Sequence, residues 1–485
     1  MPLYKISILP LLSMFLLFSC QCEQKPFEDF EPPMISDSTL DVPAVAHFLT
    51  KANQTARLQK QTTTIQAIDS SLNNQITIDA TQTYQEIDGY GFAITGGTAG
   101  HITGMDASAQ ESLLNELFGQ GEEQIGLSFI RISIAASDLN ANVFSYNDLL
   151  PGETDENNDQ FSIAKDEEIL IPLLKRIIAI NPNIKIMASP WSSPTWMKDN
   201  QNSIGGSLLA KYYESYALYL SKYVEAMSSH DITISHLTIQ NEPLHAGNNP
   251  SMYMSADDQK FFVRDHLGPL FEEKNIATKI VVYDHNADKP NYPISIMNDA
   301  QAKSYIDGSA FHLYAGDISA LSTVRNAHPE KSIYFTEQWY GAPGNFSEDL
   351  KWHIREVVIG SQRNWSRAVI EWNLSSNTQL TPHTNGGCTQ CLGAITIDDS
   401  QVTRNAGYYV VGHVSKFVPT GSIRIASTEI SDLPNIAFIT PSDQLVLLVL
   451  NNTESGVSFN VSEGKVNFST FMDAGAVSTF VWTKQ

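Results

Sequence analysis

Eight short runs of β-branched and apolar residues, spaced by about a helix of sequence, constrain this chain more than any other feature. They are 85–95, 125–134, 185–191, 236–243, 279–284, 308–314, 332–339 and 367–373. Runs of this kind are buried on both faces, as the strands of a parallel sheet are. The stretches between them carry helical spacing: apolar residues at 169, 170, 173, 174, 177 and 178 line one face of a helix over 166–180, which Asn181-Pro182 ends. Residues 212–227 and 408–417 read as further helices, and Ser255-Ala-Asp-Asp258 has the form of a capping box. The expected fold is α/β, a (β/α)8 TIM barrel.

In such a barrel the carboxyl ends of all strands gather on one face. The fourth run ends in Glu242, within Gln240-Asn-Glu-Pro243, and the seventh in Glu337, within Phe335-Thr-Glu-Gln338. An acid at a buried strand end is costly unless it does chemistry, and strands three apart face each other across the pocket. Hydrolysis of a glycosidic bond needs one carboxylic acid to protonate the leaving oxygen and a second carboxylate on the other side of the sugar. Arg131 on the second strand and Tyr314 on the sixth fall near Glu337 and favour its ionised form. Glu242 has no cation beside it in the sequence and is expected to hold the proton. Glu337 is thus the expected nucleophile and Glu242 the acid/base. A retaining mechanism would put their carboxyl groups about 5 Å apart, an inverting one about 9 Å.

The motifs Asp88-Gly-Tyr-Gly-Phe-Ala-Ile-Thr95, Arg131-Ile-Ser-Ile-Ala-Ala-Ser-Asp138, Ala188-Ser-Pro-Trp-Ser-Ser-Pro-Thr-Trp-Met-Lys198, Gln240-Asn-Glu-Pro243, Ala310-Phe-His-Leu-Tyr314, Phe335-Thr-Glu-Gln338 and Asn364–Leu374 occur in order. Together they resemble glycoside hydrolase family 30. The resemblance implies a retaining glycosidase with the two glutamates in these roles and no cofactor or metal. It also implies a sugar pocket: Asp138 and Trp191 match residues that hold the outer hydroxyls of a glucose, and Trp372 matches a wall of that pocket. Asn241 matches the contact to the 2-hydroxyl, and His312 and Tyr314 match the sixth-strand pair beside the nucleophile. For His312 a structural role stands beside direct sugar contact. Trp339 and Tyr340 are either a leaving-side subsite or packing.

The flanks read differently. Residues 1–19 have the pattern of a signal peptide, and Leu17-Phe-Ser-Cys20 resembles a bacterial lipobox that would place lipid on Cys20. Residues 20–62 read as a lipid-anchored linker and 63–84 as N-terminal strands of a side domain. The barrel is assigned to 85–419, and 420–485, six short strands with no helical pattern, to a β-sandwich that takes in the N-terminal strands. Cys388 and Cys391 read as a disulfide stapling a loop, against a free thiol pair, because too few nearby ligands exist for zinc. The expected location is the outer membrane or cell surface of a bacterium, with membrane contact only through the anchor.

A net charge of −23 repels nucleic acid and favours a neutral ligand, here a β-glucan acted on by a monomer. Family resemblance leaves several substrates open. No Lys or Arg lies between Leu374 and Thr403 to read an acidic xylan branch, which argues against xylan. The expected activity is an endo-β-1,6-glucanase, with an exo-acting β-glucosidase or glucosylceramidase-like enzyme as the alternative. A glycan-binding lipoprotein that has lost its chemistry is the reading from another class.

Overall fold

The computed structural model describes residues 44–62 and 64–485. Signal peptide, lipobox and the first part of the linker therefore lie outside the described residues. At the centre is a closed eight-stranded parallel barrel: β1 (Gly89–Ile94), β2 (Phe129–Ile134), β3 (Lys185–Pro190), β4 (His236–Thr238), β5 (Lys279–Ala287), β6 (Ile306–Gly316), β7 (Ser332–Glu337) and β8 (Ser366–Asn373). Each strand pairs with the next, and β8 closes on β1 through Ala368↔Gly89. Gly91 lets β1 lie close against β2, since a Cβ there would lie 2.0 Å from the Phe129 carbonyl oxygen.

Strand pleating sorts the barrel interior into layers. Phe129, Met187, Val281, Ala310, Tyr334, Ala368 and Ile370 form an apolar cluster at the lower level. Two residues further along, the same strands present Arg131, Ser189, His312 and Thr336, all buried. The core turns polar just below the face where strand ends meet.

The Ser255 capping box is present. The helix expected over 166–180 is two pieces, Ala164–Glu168 and Leu170–Ile180, and Ile169 at the break is 41% exposed instead of facing the core.

The linker boundary is corrected: residues 46–61 are not a tether. Ala46–Thr50 is a fully buried strand antiparallel to the C-terminal strand Val477–Thr483, and Gln59–Gln61 pairs beside it. The sandwich is joined by the twelve-residue strand Gln75–Glu86, which runs antiparallel to Ile423–Ser427 and, at its start, parallel to Val457–Glu463. This strand extends two residues beyond the boundary expected at 84. The run Leu445–Leu450 is apolar at every position because both its faces are covered: Leu445, Leu447 and Val449 face the sandwich interior, while Val446, Leu448 and Leu450 join the barrel's core. His413, on the last barrel helix, Ala406–Ser415, is bound to Thr479 at 2.9 Å and Thr50 at 2.8 Å, which ties that helix to both terminal strands. Among the described residues no helix is long and apolar enough to cross a membrane.

Candidate active site

Glu242 and Glu337 point into one pocket. A carboxylate oxygen of each, and a ring nitrogen of His312, lie within 4.8 Å of one another. Local backbone makes this convergence. Glu242 follows β4 with φ of 47°, and its amide donates to the Asp284 carbonyl at 3.0 Å. Tyr283 and Asp284 have φ of 74° and 63° at an irregularity in the β5–β6 ladder, and the β6–β7 register also shifts just before Glu337. Bulged, left-handed positions of this kind re-aim side chains and persist only where the surroundings hold them.

Arg131 is wholly buried and organises the charges. It donates to Glu337 Oε2 at 2.6 Å, Asp284 Oδ2 at 2.8 Å, Asn241 Oδ1 at 2.7 Å and Ser189 Oγ at 3.1 Å. Its guanidinium also lies 4.9 Å from the Trp191 ring centroid. Tyr314, 39% exposed at the rim, donates its hydroxyl to Glu337 Oε1 at 3.0 Å. Both neighbours expected for Glu337 are in place. The Asn241 contact leaves that amide's NH2 edge for a ligand.

The neighbourhood of Glu242 departs from expectation. His312 Nδ1 lies 3.1 Å from Glu242 Oε1, and His285 Nδ1 lies 3.7 Å from it. Burial opposes ionisation of Glu242, but the two imidazoles outweigh it and hold the carboxyl well below its usual range. The absence of a nearby cation, inferred from residues adjacent in the chain, is therefore corrected: the imidazoles arrive from β5 and β6. Burial also disfavours charged His312, yet Glu337, Asp284 and Glu242 push it up to about 9. Glu337 itself is pushed up, first by burial and then by the Glu242 and Asp284 carboxylates, against His312 and Arg131. These directions are coupled through one proton. On His312 it leaves Glu242 anionic; moved across the 3.1 Å contact, it leaves Glu242 neutral, and Glu337 loses the Glu242 repulsion and the His312 attraction together, so that Arg131 is the cation that remains to hold Glu337 ionised.

His312 is fully buried, and both ring nitrogens are committed, Nδ1 to Glu242 and Nε2 to Asp284 at 3.2 Å. Neither ring nitrogen is left over for a direct hydrogen bond to a sugar. Asp138 is also buried and accepts the Cys388 amide at 3.1 Å. Burial, reinforced by Glu337, pushes its carboxyl up to about 7. Trp191 and Trp372 pack together at 5.3 Å beside it, with Trp339 partly buried against them. Tyr340 lies away from the pocket, stacked on His353 at 3.8 Å, so of the two residues after Glu337 only Trp339 joins this wall. Cys388 and Cys391 form a disulfide.

Asp284 escaped the sequence reading as a site residue. It is fully buried and accepts from Arg131, Thr238 at 2.7 Å, Thr336 at 2.7 Å and His312. Burial opposes its charge, but Arg131, His312 and Thr336 hold it far below the usual carboxylate range. Its signal was available: it ends the fifth run as Glu242 and Glu337 end theirs. The donor set Glu242, His312 and Glu337 is close enough for a metal ion, but Arg131 and His312 already meet its charge from within the protein.

The closed barrel and the sandwich beside it match the family comparison. The model of the glycosyl hydrolase family 30 TIM-barrel domain matches residues 87–418, and that of the family's β-sandwich domain matches 421–480. The chain belongs to glycosyl hydrolase family 30. It is a glycosidase. This family 30 enzyme is similar to an endo-1,6-beta-D-glucanase of Neurospora crassa, 31% identical over 431 residues, covering 84% of this chain and 88% of the relative. It is 26% identical over 462 residues to the mouse lysosomal acid glucosylceramidase, covering 88% and 87%. Among solved structures, the endo-beta1,6-glucanase BT3312 superimposes with a TM-score of 0.85 at 33% identity, covering 91% of this chain and 99% of that one.

Proposed function

We propose that this enzyme is an endo-acting β-1,6-glucanase that works by double displacement. Glu337, held by Arg131 and Tyr314, attacks the anomeric carbon while Glu242 gives its proton to the leaving oxygen. A glycosyl ester forms on Glu337. Glu242 then takes a proton from water, which attacks the ester and releases the sugar with its configuration retained. His312 holds the proton that Glu242 uses, and Asp284 fixes the imidazole from its other side.

The observation that carries the mechanism is the approach of the two glutamates within 4.8 Å, which leaves no room for the interposed water of an inverting enzyme. The linkage is supported by the likeness to proteins named endo-1,6-glucanases at 31% and 33% identity. Asp138 and the Trp191–Trp372 wall suit a glucose ring in that pocket.

Linear β-1,6-glucan is the substrate to test, with products followed by size from the first minutes. Oligosaccharides of mixed length are expected, and the first anomer formed is β. Release of glucose alone would replace the endo reading with an exo one. Inertness toward the glucan with cleavage of glucosylceramide would favour the alternative that the 26% identity to the mouse enzyme supports. We also infer from the leader and lipobox that the enzyme is carried on the bacterial outer membrane or cell surface by lipid on Cys20. Fatty-acid labelling should be lost in Cys20→Ser.

A further inference from the structure

The Cys388–Cys391 loop touches the site from two directions. On one side the Cys388 amide donates to Asp138 Oδ2 at 3.1 Å, and the Thr384 amide donates to the Asp138 carbonyl at 2.9 Å. The contact is close: a Cβ on Gly387 would lie 2.4 Å from that carbonyl oxygen. On the other side Cys391 pairs with Gly341, four residues past Glu337, and its carbonyl accepts from Asn373 at the end of β8 at 3.3 Å. Cys388 meanwhile packs against the cluster containing Trp191 and Trp372. The sulfur bridge is thus the short link between the strand pair that follows Glu337 and the amide that faces Asp138.

We propose that the Cys388–Cys391 disulfide is a positioning element of the sugar pocket, holding the Cys388 amide on Asp138 so that glucan binding depends on the oxidation state of this pair. The inference rests on the reading of Asp138 as an acceptor of sugar hydroxyls. Without the cross-link, residues 388–390 are held on one side by the Tyr340–Gly341 pairing and on the other only through the Gly387 amide on the Thr384 carbonyl, and the segment between these anchors gains freedom. Asp138 then loses a donor aimed at its ionised form, and its carboxyl no longer has one fixed orientation. Because Asp138 grips the sugar away from the reacting bond, the effect falls on KM and leaves kcat nearly unchanged.

The test is reduction of the folded enzyme by dithiothreitol. The reagent passes two electrons and two protons to the sulfur bridge, giving two thiols and its own cyclic disulfide. Titration of the new thiols verifies the reaction, and kinetics on linear β-1,6-glucan follow it. KM is expected to rise about fivefold with kcat within about twofold, and reoxidation to restore both. C388S/C391S should show the raised KM without reductant and no response to it, which separates the effect from Cys20 and Cys22. In Asp138→Asn, with KM already raised, reduction should add nothing. An unchanged KM after verified reduction, an equal rise in the wild-type and Asp138→Asn backgrounds alike, or a loss confined to kcat would overturn the proposal. If Asp138→Asn itself leaves KM unchanged, the reading of Asp138 is what fails.

Discussion

At the amino-terminal end of the barrel Asp88 accepts from Lys185 at 2.6 Å and from Arg367 at 2.8 Å; at the carboxyl-terminal end Asp138 accepts a backbone amide and, among the described residues, has no ion-pair partner. Both aspartates are buried. Burial opposes the charge of Asp88, but Arg367 and Lys185 overcome it and hold the carboxyl down to about 2. Asp138, pushed up by burial with Glu337 adding to it, stands at about 7. The difference separates two uses of a buried acid. At the floor the charge is neutralised by the protein and serves the fold; at the mouth it is left for a ligand to satisfy. The apolar layer of Phe129, Met187, Val281 and Tyr334 lies between these ends and keeps the two charge systems apart.

The comparison is broken most severely at Glu337. Glu337→Gln should lower kcat on glucan by about 10⁴-fold while the melting temperature holds or rises, because a buried carboxylate is removed from among like charges. Glu242→Gln should lose comparably on glucan but recover much of its rate on an aryl glucoside whose leaving group needs no proton. In the layer between, Phe129→Ala should cost about 4 kcal/mol in urea unfolding, whatever its activity, since the ring is fully buried. At the floor Asp88→Asn should cost about 2 kcal/mol by leaving Lys185 and Arg367 without their anion, with KM and kcat unchanged once folded.

The smallest effect gives the sharpest contrast, because its sign differs between the two ends. The folded value of Asp138 lies above its ordinary 3.8, so its contribution to stability is full below about 4 and is lost as pH rises through about 7. The value of Asp88 lies below 3.8, so its contribution is present above about 4 and is lost as pH falls through about 2. Urea unfolding across pH should show Asp138→Asn flattening the neutral side of the profile and Asp88→Asn the acid side. Profiles altered on the same side would remove the distinction.

How much of this was legible in the chain depends on how local each signal is. Glu242, Glu337, Arg131 and Tyr314 sit at or near the ends of recognisable strands, so counting strands placed them in one pocket. Ala46–Thr50 is not legible as a strand because its five residues carry no alternation of their own and their partner strand lies at 477–483. The protonation of Glu242 is not legible in the chain for a related reason. His285 and His312 are adjacent to it in space, not in sequence.

The order of apolar runs and the acids that end them determined the barrel, its side domain and the two glutamates that meet in its pocket, because burial periodicity is written into every strand. Which groups share a proton, why Asp284 is ionised in the interior and what holds Asp138 were decided by the closed sheet. Electrostatic coupling depends on distances of a few ångströms between strands, and only closure of the barrel sets those distances.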